Sequence, residues 1–453
     1  MIFLQELKEL YLSLPLWVKT PIAKLPPSFV LGKDYRKQLR FLNESSNWSA
    51  DQYIEFQRNK LFEVVEFSVT TVPYYRDLFR KLNIPARLQS MDQFFELPLL
   101  TKEIIKDEGG RMISEAVSKT ARYPITTGGT SGTPMAFHMA SEAYGKEWAF
   151  VHDLLGRYGV TSSDRKIGLR GVAFPQAEKG VYYQYNPIYR ELQLSPFHLT
   201  EAVVKSLASV IENFDVKYIH GYPSSVSQFA SIAAKYSWGK KLDLKAVLLV
   251  SESVYPHQKE KIEELLNCPV ISFYGHSERL IFAGTVPDRE GYFVDPRYGY
   301  TEVLDGELVG TGFINMAMPM LRYQTGDRCS GIDYAKEGRG VHAFPRISGI
   351  DGRWLQEMLI GNSGSRISIT ALNMHSNLFS NVERFQFYQD TPGRAELRIV
   401  PTKSFEFEKD GEVIMRAFAE KVGSELQIEL KIVETVELTV RGKQMFLIQK
   451  LDC

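Results

Sequence analysis

The sequence predicts an α/β protein in two parts, a large N-terminal α/β domain followed by a small C-terminal α+β domain. Three observations carry this reading. The chain has 453 residues, too long for one ordinary core, so two or three lobes are expected. Residues 215–278 alternate strand-like and helix-like patterns. Beyond residue 300 the pattern becomes short strands separated by Gly turns.

About the first hundred residues read as mainly helical, with Ile54, Leu61, Val64, Val65 and Phe67 set among charged positions. A Gly/Thr-rich turn follows at 126–134. Residues 216–219 are rich in β-formers and predict a strand. Val226, Phe229, Ile232 and Ala233 then make a helical stripe across 224–236. The run 246–250 is continuously apolar, as in a parallel strand covered on both faces. Pro256 opens the next helix, where its missing N–H costs nothing, and Ile262, Leu265 and Leu266 form its buried face. Val270 to Phe273 is a third strand. Two right-handed crossovers make the three strands parallel, with their carboxyl ends on one edge. Ligands of such sheets bind outside that edge. The segments expected there are 220–223, 251–253 and 274–278, all polar and turn-like.

Glycine is dense near the end of the large domain, at Gly349, Gly352, Gly361 and Gly364. Runs at 396–400 and 428–433 predict strands and 411–422 a helix, enough for a small domain of its own. The predicted boundaries are 1–350 for the large domain, 351–357 for a hinge and 358–453 for the small domain.

Lys+Arg and Asp+Glu both number 54, so the formal charge is zero. A neutral chain argues against nucleic acid as a partner, which needs a basic footprint. Cys268, Cys329 and Cys453 are scattered, so they read as reduced thiols of a cytoplasmic protein, without a zinc site or a disulfide frame. Glu6, Lys8 and Glu9 interrupt any apolar signal core at the N-terminus. No run approaches the ~20 apolar residues of a membrane helix. The first thirty residues are somewhat amphipathic. They read as a helix packed on the main domain, with weak association to a membrane surface left open, as is a homodimer.

Four motifs bear on chemistry. In Thr126-Thr127-Gly128-Gly129-Thr130-Ser131-Gly132-Thr133-Pro134, the glycines let backbone N–H groups converge and the hydroxyls add donors, which suits a polyphosphate. No Lys follows the last Gly, so this is not a Walker A loop. Tyr274-Gly275-His276-Ser277-Glu278 offers an aromatic face for a base and a carboxylate for magnesium. Tyr323-Gln324-Thr325-Gly326-Asp327 offers an Asp, held by a tight turn, that accepts two hydrogen bonds from a ribose diol. Gly352-Arg353 is followed far downstream by Lys443, a cation that a mobile small domain would carry to the site. Taken singly, each also fits an ordinary turn or a surface side chain.

Taken together and in this order, they resemble the adenylate-forming superfamily of acyl-CoA synthetases, luciferases and adenylation domains, over roughly residues 120–453. Within it the chain is most similar to the phenylacetate–coenzyme A ligase branch and its CapK-like members of capsule and O-antigen gene clusters. The finer match rests on 220–225, on Ser251-Glu252, on Gly352 to Glu357, on 369–375 and on 385–389.

The resemblance implies a multi-sheet N-terminal domain and a C-terminal lid. It implies ATP and Mg2+ as cofactors and a carboxylic acid as substrate, activated as an acyl-adenylate. The acceptor is a coenzyme A thiol, an amine or a hydroxyl. Thr127 to Thr133, with Thr130 among the catalytic residues, would cradle the β- and γ-phosphates. Ser251, Glu252 and Ser253 would border adenine, Tyr274 would stack on it, and Gly275, His276 and Ser277 would line the nucleotide. Glu278 would ligate magnesium. Asp327 would hold the ribose with Arg353, and Lys443 would serve adenylation. Tyr222, Pro223 and His276 would line the acyl pocket. The sequence departs from the superfamily at Met135, where a Lys often follows the loop proline, and at Trp354 to Gln356, which blur the pivot. The rival reading is a non-catalytic, ATP-binding or scaffold relative in polysaccharide assembly.

Overall fold

The structure is a computed structural model. It describes residues 30–126, 135–172, 174, 179–236, 241–252, 254–335, 337–351, 357–369, 372, 377–379, 381–437 and 445–451. The described part opens with three helices: α1 (Gly32–Glu44), α2 (Ala50–Thr71) and α3 (Pro73–Leu82). Ser49 starts α2 with a capping box. Its hydroxyl accepts from Gln52 N–H, and the Gln52 side chain accepts from Ser49 N–H. Leu61, Val64, Val65 and Val69 are buried on one face of α2 as the periodicity predicts. Ile54, expected in the same stripe, is 60% exposed, because the first turns pack through Ala50 and Tyr53 instead.

A short helix α4 (Lys102–Glu108) leads to the hairpin β1 (Arg122–Thr126) and β2 (Ala136–Ala140), and then to α5 (Ala143–Gly156). The main sheet begins with β3 (Lys166–Leu169), β4 (Tyr183–Asn186) and β5 (Glu191–Leu194). It continues through β6 (Tyr218–Gly221), α6 (Pro223–Lys235), β7 (Ala246–Leu249), α7 (Pro256–Leu266) and β8 (Val270–Tyr274). The strands β5, β3, β6, β7 and β8 lie side by side and parallel, as the crossover rule predicts for the last three. Alternation sorts their side chains. Ile219, Val247 and Leu249 pack with Val226, Phe229 and Ile262 of α6 and α7. Tyr218, Ala246, Leu248 and Ile271 pack with Tyr35 of α1 and Phe150 and Leu154 of α5. Antiparallel β9 (Ala283–Val286) and β10 (Arg289–Val294) extend the sheet beyond β8.

A second, antiparallel sheet holds β11 (Gly299–Leu304), β12 (Glu307–Gly312) and β13 (Tyr323–Cys329), with Ile350–Asp351 at its edge. The C-terminal part follows. It has a hairpin of β14 (Met358–Ile360) and β15 (Arg366–Ser368), and a four-stranded sheet of β16 (Val382–Thr391), β17 (Arg394–Pro401), β18 (Gln427–Ile432) and β19 (Leu447–Gln449). The helix α8 (Glu412–Val422) packs on it through Ile414 and Phe418, so the strands and helix read from the sequence are present. Phe197 and Tyr222, both from the large domain, belong to this same C-terminal core.

Candidate functional site

Hairpin register fixes the two ends of the Gly/Thr loop. Strands β1 and β2 pair from Arg122↔Ala140 to Thr126↔Ala136. The loop itself, Thr127 to Thr133, lies outside the described residues, as do Ser253, Arg353 and Lys443. Its exit is placed. Met135 is fully buried, and its Sδ lies 4.0 Å from the Tyr323 hydroxyl. The same hydroxyl lies 3.2 Å from Glu278 Oε1, and the carboxylate is the stronger acceptor for its proton.

Glu278 stands at the turn that leaves β8 and is itself buried. His276 Nδ1 lies 3.3 Å from its Oε2. Burial pushes the Glu278 carboxyl up, but the His276 hydrogen bond and charge, together with Lys102, outweigh it and hold the group below the usual range. Lys102 arrives through a parallel bridge between Leu100 and Tyr323. Leu100 N–H donates to Arg322 O at 3.0 Å, and Gln324 N–H donates to Leu100 O at 2.9 Å.

The segment Tyr323 to Asp327 corrects the expectation of a tight turn. It is part of β13, and it carries a bulge where pairing with β12 slips between Glu307 and Val309. Gly326 takes φ +71° there, the same glycine signal that a turn would need. Gly326 N–H donates to Glu307 Oε1 at 2.6 Å, and Asp327 N–H donates to Thr325 Oγ1 at 3.1 Å. The Tyr274 hydroxyl donates to Asp327 Oδ2 at 2.8 Å. Burial and then the Asp327 charge push the Tyr274 phenol well above its ordinary pKa, so it remains a donor. Tyr274, His276, Glu278, Asp327, Tyr323 and the loop exit at Met135 thus form one cluster, with Gly275 and Ser277 in the turn between them.

A second cluster forms at the tips of β6 and β7. Tyr222 caps α6, Pro223 is its first residue, and the Tyr222 hydroxyl accepts from Gly171 N–H at 3.4 Å. Ser251 takes φ +67° and turns Glu252 inward. Glu252 accepts from Ser224 N–H and Ser224 Oγ, both at 3.0 Å, and from Ser368 Oγ at 2.5 Å. Burial raises the Glu252 pKa. Ser368 belongs to β15, so this carboxyl joins the large domain to the C-terminal part.

Three non-glycine residues with positive φ, Ser251, Arg279 and Arg322, directly adjoin Glu252, Glu278 and Tyr323. Such backbone is kept only where the surroundings over-determine it. Arg322 shows how: its guanidinium pairs with Glu302 at 2.8 Å and donates to Phe95 O and Leu97 O. Sequence reasoning missed Lys102, Ser368 and the role of the Tyr323 hydroxyl. Tyr323 stood inside a quoted motif, whereas the contacts of Lys102 and Ser368 cross more than a hundred residues of chain and leave no local signal.

Residues 359–450 match the family described as the CapK C-terminal domain. This part of the chain is CapK-like. The chain is 22% identical to Protein CapK of Staphylococcus aureus over 307 residues, 65% of this chain and 66% of that protein. The match therefore spans just under two thirds of the relative's length. Among solved structures, a 2-hydroxyisobutyryl-CoA ligase with 2-HIB-AMP and CoA in its thioesterification state aligns with a TM-score of 0.55 at 17% identity. That alignment covers 89% of this chain and 90% of that one. The same ligase in the postadenylation state with R3-HIB-AMP gives 0.53 at 17% identity, covering 88% and 90%. At this identity the likeness shows the fold alone, a large N-terminal domain followed by a small C-terminal one. No helix among the described residues is long and apolar enough to cross a membrane.

Proposed function

We propose that this CapK-like chain uses ATP to activate a carboxylic acid as an acyl-adenylate, releases pyrophosphate, and passes the acyl group to an acceptor. The observation that carries the reading is the first cluster. A buried carboxylate, a tyrosine–aspartate pair and the exit of a Gly/hydroxyl loop meet at the carboxyl edge of a parallel sheet. The substrate carboxylate is itself the nucleophile, so no side-chain nucleophile is needed. Its oxygen bonds the α-phosphorus in line as the bond to the β-phosphate oxygen breaks, and the electron pair leaves with pyrophosphate.

The protein supplies positioning and charge. The N–H groups and hydroxyls of Thr127 to Thr133 receive the departing phosphates, Thr130 among them. Asp327, oriented by Tyr274, takes the ribose diol with Arg353. Ser251, Glu252 and Ser253 border the base. Glu278 is the residue to hold magnesium. A hard octahedral ion needs few protein carboxylates when phosphate oxygens and waters complete it. That fits a single buried glutamate, with no cluster of three or more His, Cys, Asp or Glu among the described residues. Magnesium would supply charge neutralisation at the phosphates. Lys443 brings the last cation from the C-terminal part, which pivots at 351–357 to admit the acceptor.

The acceptor class is a coenzyme A thiol, an amine or a hydroxyl, and the CapK likeness suggests use in envelope-polysaccharide synthesis. The test is pyrophosphate release from Mg·ATP across a panel of carboxylic acids. Release with at least one acid, abolished in Glu278→Ala, is expected. No release with any acid, joined to no shift in melting temperature on adding Mg·ATP, would sink the reading.

A further inference from the structure

Four buried side-chain atoms among the described residues have no hydrogen-bond partner: His220 Nδ1, His276 Nε2, Arg279 Nη1 and Thr301 Oγ1. Three of them stand at the tips of β6 and β8, on the ligand-facing edge of the main sheet. His220 leads deeper. It is fully enclosed on the α5 face of β6, with its ring 6.3 Å from the Trp148 ring and nearly perpendicular to it. On β3 its register partner is Gly168, and two residues back Lys166 pairs with Tyr218. Lys166 is only 4% exposed, and its Nζ lies 5.3 Å from the Trp148 ring, 5.8 Å from Tyr189 and 5.9 Å from Tyr218. That Nζ makes no ion pair and no hydrogen bond with the described residues.

Glu191 faces the same layer and is already engaged. Its Oε2 accepts from Gln193 at 2.9 Å, and its Oε1 lies over Gly168, 2.5 Å from where a Cβ would stand. His152, bonded to the Tyr35 hydroxyl, is the other titratable neighbour on α5, and burial keeps it neutral with a pKa of about 4. Burial pulls the Lys166 ammonium down, Glu191 counters this, and Arg170 at the end of β3 adds to the lowering. Burial, then Arg170 and Lys166, hold His220 neutral. Two cations thus face one carboxylate in a layer walled by aromatic rings. A buried cation without a paired anion is costly, and a ligand carrying an anion offsets that cost.

We infer that the activated acid carries a second anionic group, a carboxylate in the simplest case, which enters between β6 and α5 and is received by Lys166 and His220. This deepens the acyl-adenylate reading and rests on it. The reacting carboxylate stays at the strand tips, near His276. The second group sits two to three strand residues below, about 7–10 Å at the usual strand rise.

The experiment compares dicarboxylic acids of increasing length with monocarboxylic acids of equal length, by pyrophosphate release. The wild type, Lys166→Met and Lys166→Met/Glu191→Gln are assayed. The double variant removes both charges together, so the layer keeps its net charge where the single variant changes it. The wild type should prefer a diacid, and both variants should lower the diacid-to-monoacid ratio of kcat/KM about 10- to 100-fold, mostly through KM. A ratio that the variants leave unchanged, as hydration of the layer by water alone would give, overturns the inference while acyl-adenylate formation stands. If no acid releases pyrophosphate from the wild type, the activity reading fails on its own. Calorimetric binding of the diacid then decides the subsite: weaker binding to Lys166→Met supports it, and equal binding overturns it.

Discussion

Tyr323 is fully buried and donates a hydrogen bond to a carboxylate that burial alone would neutralise. Tyr323→Phe removes that hydroxyl and almost nothing else. A hydrogen bond to a charged group contributes about 1.5–3 kcal/mol, so urea unfolding should show a loss of that order, with slower pyrophosphate release. Unchanged stability would mean that Glu278 does not depend on Tyr323. Asp327→Ala should chiefly weaken nucleotide binding, read by calorimetry, and wild-type affinity would remove Asp327 from the ribose site. Glu278 and Asp327 could be singled out in the sequence because each sits in a short motif beside a strand end. Lys102 could not, because it reaches Glu278 only through the bridge of Leu100 to Tyr323. Tyr323 to Asp327 was legible in its residues but not in its shape, since Gly326 at positive φ serves a turn and a bulge alike.

Elements hold these residues at their stations, and two of them can be tested. Gly221 ends β6, where an added Cβ would lie 2.7 Å from Leu169 Cβ, 2.8 Å from Leu169 O and 2.9 Å from Val226 Cγ2. Two of those atoms are main chain or fixed to it, so Gly221→Ala should force β3 and α6 apart at about 1–3 kcal/mol, seen as a lower Tm. Glu357 opens the C-terminal hairpin and accepts N–H bonds from Leu447 and Phe446, four and three residues past Lys443. Burial, only partly countered by those bonds, raises its pKa from 4.5 to about 7. The folded state therefore keeps a proton that the unfolded chain releases, so stability falls as pH rises through that window. Glu357→Gln should gain up to about 3 kcal/mol above pH 7 and nothing below pH 4.5, read from urea midpoints across pH. The parallel order of β6, β7 and β8 was legible because apolar strands alternate with amphipathic helices. The pairing of β17 with β18 and of β16 with β19 was not, since sheet partners distant in sequence leave no period to read.

At the scale of the molecule, polar and apolar contacts among the described residues seat the C-terminal part on the large domain. Phe197 and Tyr222 enter its core, and Glu252 receives the Ser368 hydroxyl beside two bonds from Ser224. A chain that pivots at 351–357 must break the Ser368 bond while keeping those from Ser224, which stay within one domain. The Ser368 bond can therefore break without loosening the Glu252 turn. Ser368→Ala should remove about 1.5–3 kcal/mol of docking, a shift of about 10- to 100-fold in the docked population. Distance between fluorophores placed one on each part would report it, with Ser224→Ala as the control that leaves the interdomain bond in place. Longer mean separation in Ser368→Ala, but not in Ser224→Ala, is the expected result. Equal separations in both would show that the Ser368 bond does not decide how the two parts sit.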